Sequence, residues 1–113
     1  MPESAGHKGL KNKDAGRSGK TEVKLPSGKR LDAVTSSGTG VEIERGGAAG
    51  IKKSVGSLKE AVKTGVAKNA RIRVPQPDMP KAVQEMKKQR VSGQVTNLGG
   101  TRKVNVPKAK NKK

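Results

Sequence analysis

The chain has 113 residues, of which 26 are Lys or Arg and 9 are Asp or Glu, so its formal net charge is +17. It contains no Cys, Phe, Tyr or Trp and a single His. This composition excludes disulfides and thiol chemistry, and it argues against histidine-based metal sites and base stacking on aromatic side chains. No apolar run approaches the ~20 residues of a membrane span, and the N-terminus shows no ordinary signal peptide.

Three short runs with alternating polar and apolar residues predict an antiparallel meander at residues 22–25, 30–35 and 40–44. Turns rich in Gly, Ser and Pro separate them. The alternation predicts one apolar face made of Val23, Leu25, Leu31, Ala33, Val41 and Ile43. It predicts a polar face made of Glu22, Lys24, Arg30, Asp32, Glu42 and Glu44.

A helix is predicted after the third strand. The GGAAG run at residues 46–50 is interpreted as a flexible linker between the two elements. Ser57 and Glu60 have the spacing of a capping box and predict the start of the helix, for which Ser54 is an alternative. One helical face is indicated by the spacing of Val55, Leu58, Val62 and Val66.

Residues 70–74 predict a fourth strand and residues 78–90 a second helix, and residues 102–106 could form a further strand. The predicted order is β-β-β-α-β-α. We therefore expect a small α+β domain over residues 21–106, with a mixed sheet flanked by two helices. Residues 1–20 are predicted to be a flexible basic arm or linker, and residues 107–113 a basic tail.

The positive charge predicts a polyanionic partner. Nucleic acid is the favoured class because phosphate contacts release counterions, and an acidic protein or an anionic membrane surface are alternatives. The candidate phosphate-binding residues are Lys24, Arg30, Lys52, Lys53, Lys59 and Lys63.

Three of the nine acidic residues, Asp32, Glu42 and Glu44, fall within thirteen residues on neighbouring predicted strands. Clustered carboxylates repel one another unless a cation offsets them. Mg²⁺ or another hard divalent cation takes one or two carboxylates together with water and phosphate oxygens. The alternative is a solvated hairpin face on which the acids pair with Lys24 and Arg30.

The run RLDAV, a Gly-containing turn and the run VEIER resemble the core of PD-(D/E)XK, or restriction-endonuclease-like, nucleases. The resemblance implies a metal site at Asp32 and Glu42 and a catalytic set of Asp32, Glu42 and Glu44. Glu44 stands where the family usually has Lys, so Lys24, Arg30 or a helix Lys would supply the missing positive charge. Glu22 corresponds to the upstream Glu of some members.

The chain is most similar to small C-terminal nuclease domains of bacterial polymorphic toxins, including those of contact-dependent inhibition systems. This similarity implies a secreted effector that acts in the cytoplasm of a target bacterium and is held inactive by an acidic immunity protein. Two other functions fit the residues. One is a non-catalytic, cytoplasmic nucleic-acid-binding protein of ribosomal or nucleoid type that folds on its target, and the other is a metal-independent toxin ribonuclease.

Overall fold

The computed structural model describes residues 19–107. Six strands form one mixed sheet in the order β1-β2-β3-β4-β5-β6. The elements are β1 (Lys20–Lys24), β2 (Arg30–Val34), β3 (Thr39–Ile43), α1 (Gly47–Lys63), β4 (Asn69–Val74), a 3₁₀ turn (Gln76–Asp78), α2 (Met79–Gln89), β5 (Gly93–Asn97) and β6 (Lys103–Val106). The predicted α+β class with a mixed sheet and two helices is confirmed. Most of the predicted arm at 1–20 and of the tail at 107–113 lies outside the described residues.

The connections explain why the sheet is mixed. Tight turns make β1, β2 and β3 an antiparallel meander, and β5 and β6 are antiparallel as well. By contrast, β3, β4 and β5 run parallel because α1 and then α2 carry the chain back across the sheet. The two helices contact each other and share one buried cluster, so they cover the same face of the sheet.

The main core lies between this sheet face and the helices. Its largest fully buried side chains include Leu25, Leu31, Ile51, Leu58, Ile72 and Met86. Val55 and Leu58 of the predicted helical stripe are buried, whereas Val62 is 40% exposed. Val66 lies beyond the end of α1 and is only partly buried. Ile51 and Ala61 complete the buried face of α1 instead. No helix among residues 19–107 has the length and apolarity needed to cross a membrane.

The predicted start of the first helix is wrong. The helix α1 begins at Gly47, so the GGAAG run belongs to its first turns and is not a linker. Ser57 lies inside α1, where its hydroxyl donates to the carbonyl of Lys53 at 3.3 Å. The Glu60 carboxylate accepts hydrogen bonds from the hydroxyl and backbone N–H of Ser27, at 2.6 and 2.8 Å, and so ties the β1–β2 turn to α1.

The second half of the sheet contains one strand that the sequence pattern did not predict. The segment Gly93–Asn97 pairs in parallel with β4, although only Val95 and Thr96 in it favour strands strongly. The possible strand at 102–106 is present as β6, which pairs with β5. The fourth strand and the second helix lie close to their predicted positions.

Candidate functional site

The strands β2 and β3 stop pairing at Asp32. Their ladder contains Ala33 opposite Val41 and Val34 opposite Gly40, and it goes no further. Beyond it, the backbone N–H of Ile43 donates to Oδ2 of Asp32 at 2.7 Å, and the backbone N–H of Asp32 donates to Oε2 of Glu42 at 3.2 Å. Two carboxylates therefore take the place of the backbone carbonyls that would continue the sheet.

Glu42 points toward the helices. Residues opposite one another in paired strands share a face, and Glu42 is opposite Ile72, which lies in the core under the helices. Glu42 is only 7% exposed. The predicted division into one polar and one apolar face is therefore wrong, because a carboxylate of the predicted polar set lies on the core side.

The residues of the predicted apolar face are divided between two buried clusters. Leu25 and Leu31 belong to the core under the helices, whereas Ala33, Val41 and Ile43 form a second buried cluster against which Leu98 packs. Leu31 and Ala33 contribute to different clusters although they are two residues apart, so β2 departs from simple alternation at Asp32. This departure coincides with the point where the two carboxylates enter the gap between the strands.

Burial and neighbouring acids raise the pKa of Glu42 to about 10. The largest cause is desolvation of the carboxyl group, followed by the negative charge of Asp32 and a hydrogen bond between the two side chains. Glu44 adds a smaller repulsion in the same direction. At neutral pH this pair of acids therefore holds a proton, which removes the repulsion that the buried carboxylate of Glu42 and the part-buried carboxylate of Asp32 would otherwise suffer.

Glu44 lies against the beginning of α1. Its Oε2 accepts a hydrogen bond from the backbone N–H of Gly46 at 2.8 Å, and its Oε1 accepts one from the hydroxyl of Ser54 at 2.7 Å. Gly50 leaves the room that the carboxylate occupies. Oε2 is thus held at the positive end of the helix, where negative charge is stabilised, and Oε1 is held by Ser54 further along it. A catalytic role for Glu44 stays a prediction.

Two carboxylates, and not three, lie close enough together to hold a hard cation. Among residues 19–107 no group of three or more His, Cys, Asp and Glu side chains is placed to hold a metal ion. Asp32 and Glu42 are in contact, and the neighbouring charges that act on the pKa of Glu42 are both negative. Once ionised, the two carboxylates could be offset by a cation such as Mg²⁺, which takes one or two carboxylates and keeps its other positions for water and phosphate.

The six predicted phosphate-binding residues are all exposed. Lys24 and Arg30 are opposite one another in β1 and β2. Arg30 forms an ion pair of 3.8 Å with Glu22. Arg30 therefore pairs with the upstream acid of the same hairpin, and its predicted pairing with the clustered acids stays a prediction. Whether Glu22 itself acts as a ligand stays a prediction.

The four lysines of α1 divide into two groups. Lys52 and Lys53 lie near the start of the helix, on the same end as Glu44, whereas Lys59 and Lys63 lie near its other end. Ten residues of helix separate Lys53 from Lys63, which corresponds to about 15 Å along the axis. The structure therefore places only the first group near the acidic end of α1.

Sequence reasoning missed the residues that hold Glu44. Gly46, Gly50 and Ser54 were assigned to a linker or to a helix start, although each contacts or accommodates the carboxylate. Their only signal was the spacing of small residues every four positions, which places them on one side of a helix that begins earlier.

No family model, curated protein or solved structure matches this chain. The function is therefore argued from the residues and their geometry.

Proposed function

We propose that this chain is a metal-dependent nuclease that hydrolyses phosphodiester bonds of DNA or RNA. The observation that carries the proposal is the contact between Asp32 and Glu42 in the gap between β2 and β3. Burial of Glu42 and the negative charges of Asp32 and Glu44 raise the pKa of Glu42. A buried carboxylate beside a second one is costly unless a proton or a cation is bound there.

Asp32 and Glu42 would hold the ion, Mg²⁺ or another divalent cation, through their carboxylate oxygens. A bound divalent cation supplies Lewis-acid polarisation of the phosphodiester and lowers the pKa of a bound water. The carboxyl group of Glu42 must release its proton before both acids can act as ligands, so metal affinity rises with pH. Glu44 is held at the start of α1 and orients the segment that follows Glu42.

The basic side chains would bind the substrate. Lys52 and Lys53 lie in the first half of α1, whose beginning contacts Glu44, and they would hold phosphates that flank the scissile bond. Lys24 and Arg30 project from the adjacent hairpin. Lys59 and Lys63 would add longer-range attraction for the polyanion, which weakens as salt increases.

The resemblance of RLDAV and VEIER to PD-(D/E)XK nucleases supports the assignment of the two carboxylates, and it extends the proposal to a restriction-endonuclease-like core. By the same resemblance, the chain would be the C-terminal toxin domain of a secreted bacterial effector. It would act in the cytoplasm of a target bacterium and be inhibited by an acidic immunity protein.

The test is incubation of the full chain with plasmid DNA and with total RNA, in Mg²⁺ and in chelator. We expect cleavage of one substrate in Mg²⁺ only, and its loss in Asp32→Asn and in Glu42→Gln. Glu85→Gln removes the same charge from α2, away from the proposed metal ligands and phosphate-binding residues, and is the matched control. Cleavage that continues in chelator supports the metal-independent ribonuclease instead. Binding without cleavage under every condition supports the non-catalytic nucleic-acid-binding protein.

A further inference from the structure

A groove with an apolar floor and a basic rim lies at the far end of α1 from Glu44. It has a volume of about 330 Å³ and runs between the end of α1, the start of β4 and the junction of α2 with β5. The residues that line it include Lys59, Val62, Lys63, Lys68, Arg90 and Val91. Four cations thus surround two valines.

The floor of the groove includes a large apolar side chain that is exposed to solvent. Val62 is 40% exposed, and it is one of two large hydrophobic side chains exposed to this extent among residues 19–107. Val62 lies one turn from Lys59 and beside Lys63 on α1, so an apolar side chain of a ligand that covers it would bring flanking acids next to both ammonium groups.

Arg90 adds an independent observation. It follows the last residue of α2 with φ 61° and ψ 42°, a left-handed conformation that Gly adopts without cost and that other residues rarely adopt. Holding a non-Gly residue there strains the backbone. The side chain of Arg90 is exposed and lines the groove, so the strained position puts a fourth cation on its rim.

We propose that this groove binds an acidic, amphipathic segment of a protein partner. The partner would place an aliphatic side chain on the exposed Val62, beside the largely buried Val91, and its carboxylates against Lys59, Lys63, Lys68 and Arg90. A nucleic acid backbone offers phosphates to the rim but no aliphatic group for the floor, and the chain has no aromatic side chains on which bases could stack. The charge pattern together with the valines therefore favours a protein segment.

This inference does not depend on the carboxylate site. The groove lies at the C-terminal end of α1, whereas Glu44 is held by Gly46, which precedes the helix, and by Ser54 near its middle. A partner segment could occupy the groove whether or not Asp32 and Glu42 bind a metal.

The test uses the full chain and a short synthetic peptide rich in Glu that carries two Leu residues one helical turn apart. Fluorescence anisotropy measures its affinity, and amide chemical shifts locate the contact. We expect shifts centred on residues 59–68 and 90–92. We also expect a loss of affinity of about tenfold or more when the two Leu are replaced by Ser in the peptide, or when the protein carries Val62→Ser or Lys63→Glu. Lys81→Glu, on the exposed side of α2, makes the same charge change and should alter affinity less than about twofold.

Arg90→Gly separates binding from folding. It should raise the thermal midpoint because it relieves the left-handed strain, and it should nevertheless weaken peptide binding. Equal losses in Lys63→Glu and Lys81→Glu, or affinity that does not depend on Val62 and on the peptide's Leu residues, would show attraction by net charge alone and overturn the proposal. A short oligonucleotide that shifts the same amides with the same dependence on Val62 would overturn it as well, as would the absence of measurable peptide binding.

Discussion

Gly50 lies so close to the carboxylate of Glu44 that no side chain fits between them. A Cβ atom on Gly50 would stand 2.6 Å from the carboxyl carbon of Glu44, closer than real Cβ contacts. The same carboxylate accepts hydrogen bonds from Gly46 and Ser54. A glycine within a helix normally destabilises it, and here Gly50, in the first turn of α1, leaves the space in which the carboxylate of Glu44 rests on the helix.

Gly50→Ala should therefore destabilise the protein, although Ala is the better helix former by about 1 kcal/mol. The new methyl group displaces the carboxylate of Glu44 and breaks its hydrogen bonds, at a cost of about 1–3 kcal/mol. Chemical denaturation measures the change.

Gly56→Ala is the matched control for this change. It lies in the same helix, and its Cβ would meet only Gln89 within 4 Å, at an ordinary 3.7 Å, so it should stabilise by about 0.5–1 kcal/mol. In a Glu44→Ala background, Gly50→Ala should become stabilising as well. If Gly50→Ala and Gly56→Ala stabilise equally in the unaltered chain, the close packing of Glu44 on α1 is wrong.

Ser54→Ala should destabilise by about 1–3 kcal/mol because it removes a hydrogen bond to a carboxylate in a part-buried position. Ser57→Ala lies one turn further along α1 and removes only a bond of 3.3 Å to the helix's own backbone. Its effect should be within about 0.5 kcal/mol of zero. Urea unfolding of the two variants measures the difference, which would vanish if Ser54 did not hold Glu44.

Glu42→Gln should change how stability depends on pH. The unfolded chain loses the proton of Glu42 near pH 4.5, but the folded chain keeps it to about pH 10. Between these values the folded state binds more protons than the unfolded state, so stability falls as pH rises. Gln mimics the protonated acid and removes this loss, because it can donate to Asp32 and carries no charge.

The variant and the unaltered chain should have similar thermal midpoints near pH 4.5, and the variant should unfold at a higher temperature near pH 9. A difference of 1 kcal/mol corresponds to about 4–8 °C in a domain of this size. Thermal unfolding followed by circular dichroism in the presence of chelator measures the midpoints of both proteins at the two pH values. Parallel curves for Glu42→Gln and the unaltered chain would contradict the buried, protonated state of Glu42.

Asn97→Ala should open the turn between β5 and β6. Oδ1 of Asn97 accepts hydrogen bonds from the backbone N–H groups of Thr101 and Arg102 at 2.9 and 3.2 Å, and its Nδ2 donates to the hydroxyl of Thr101 at 2.9 Å. Because the residue is 9% exposed, water replaces these bonds poorly, and we expect a loss of about 2 kcal/mol. Asn97→Asp keeps the acceptor and should lose less. Hydrogen exchange of β6 amides measures the opening, and exchange as slow as in the unaltered chain would contradict this role for Asn97.

Local sequence patterns were sufficient to predict part of the fold. The alternation in RLDAV and GVEIE and in ARIRV located β2, β3 and β4, because these runs carry their own strand period and end at turn residues. The proximity of Asp32 and Glu42 was also predictable, since a tight turn places the two strands side by side. The segment Gly93–Asn97 could not be recognised, because its strand conformation depends on parallel pairing with β4 and on contacts far along the chain.

By itself, the sequence determined the basic character of the protein, its α+β class and the neighbouring positions of two acids on adjacent strands. Only the tertiary structure decided which way those acids point, where α1 begins and what Glu44 contacts. The physical reason is that alternation and helical spacing report local periodicity. Desolvation of Glu42 and the approach of Glu44 to Gly50 depend instead on how α1 lies across the sheet, and no local pattern encodes that placement.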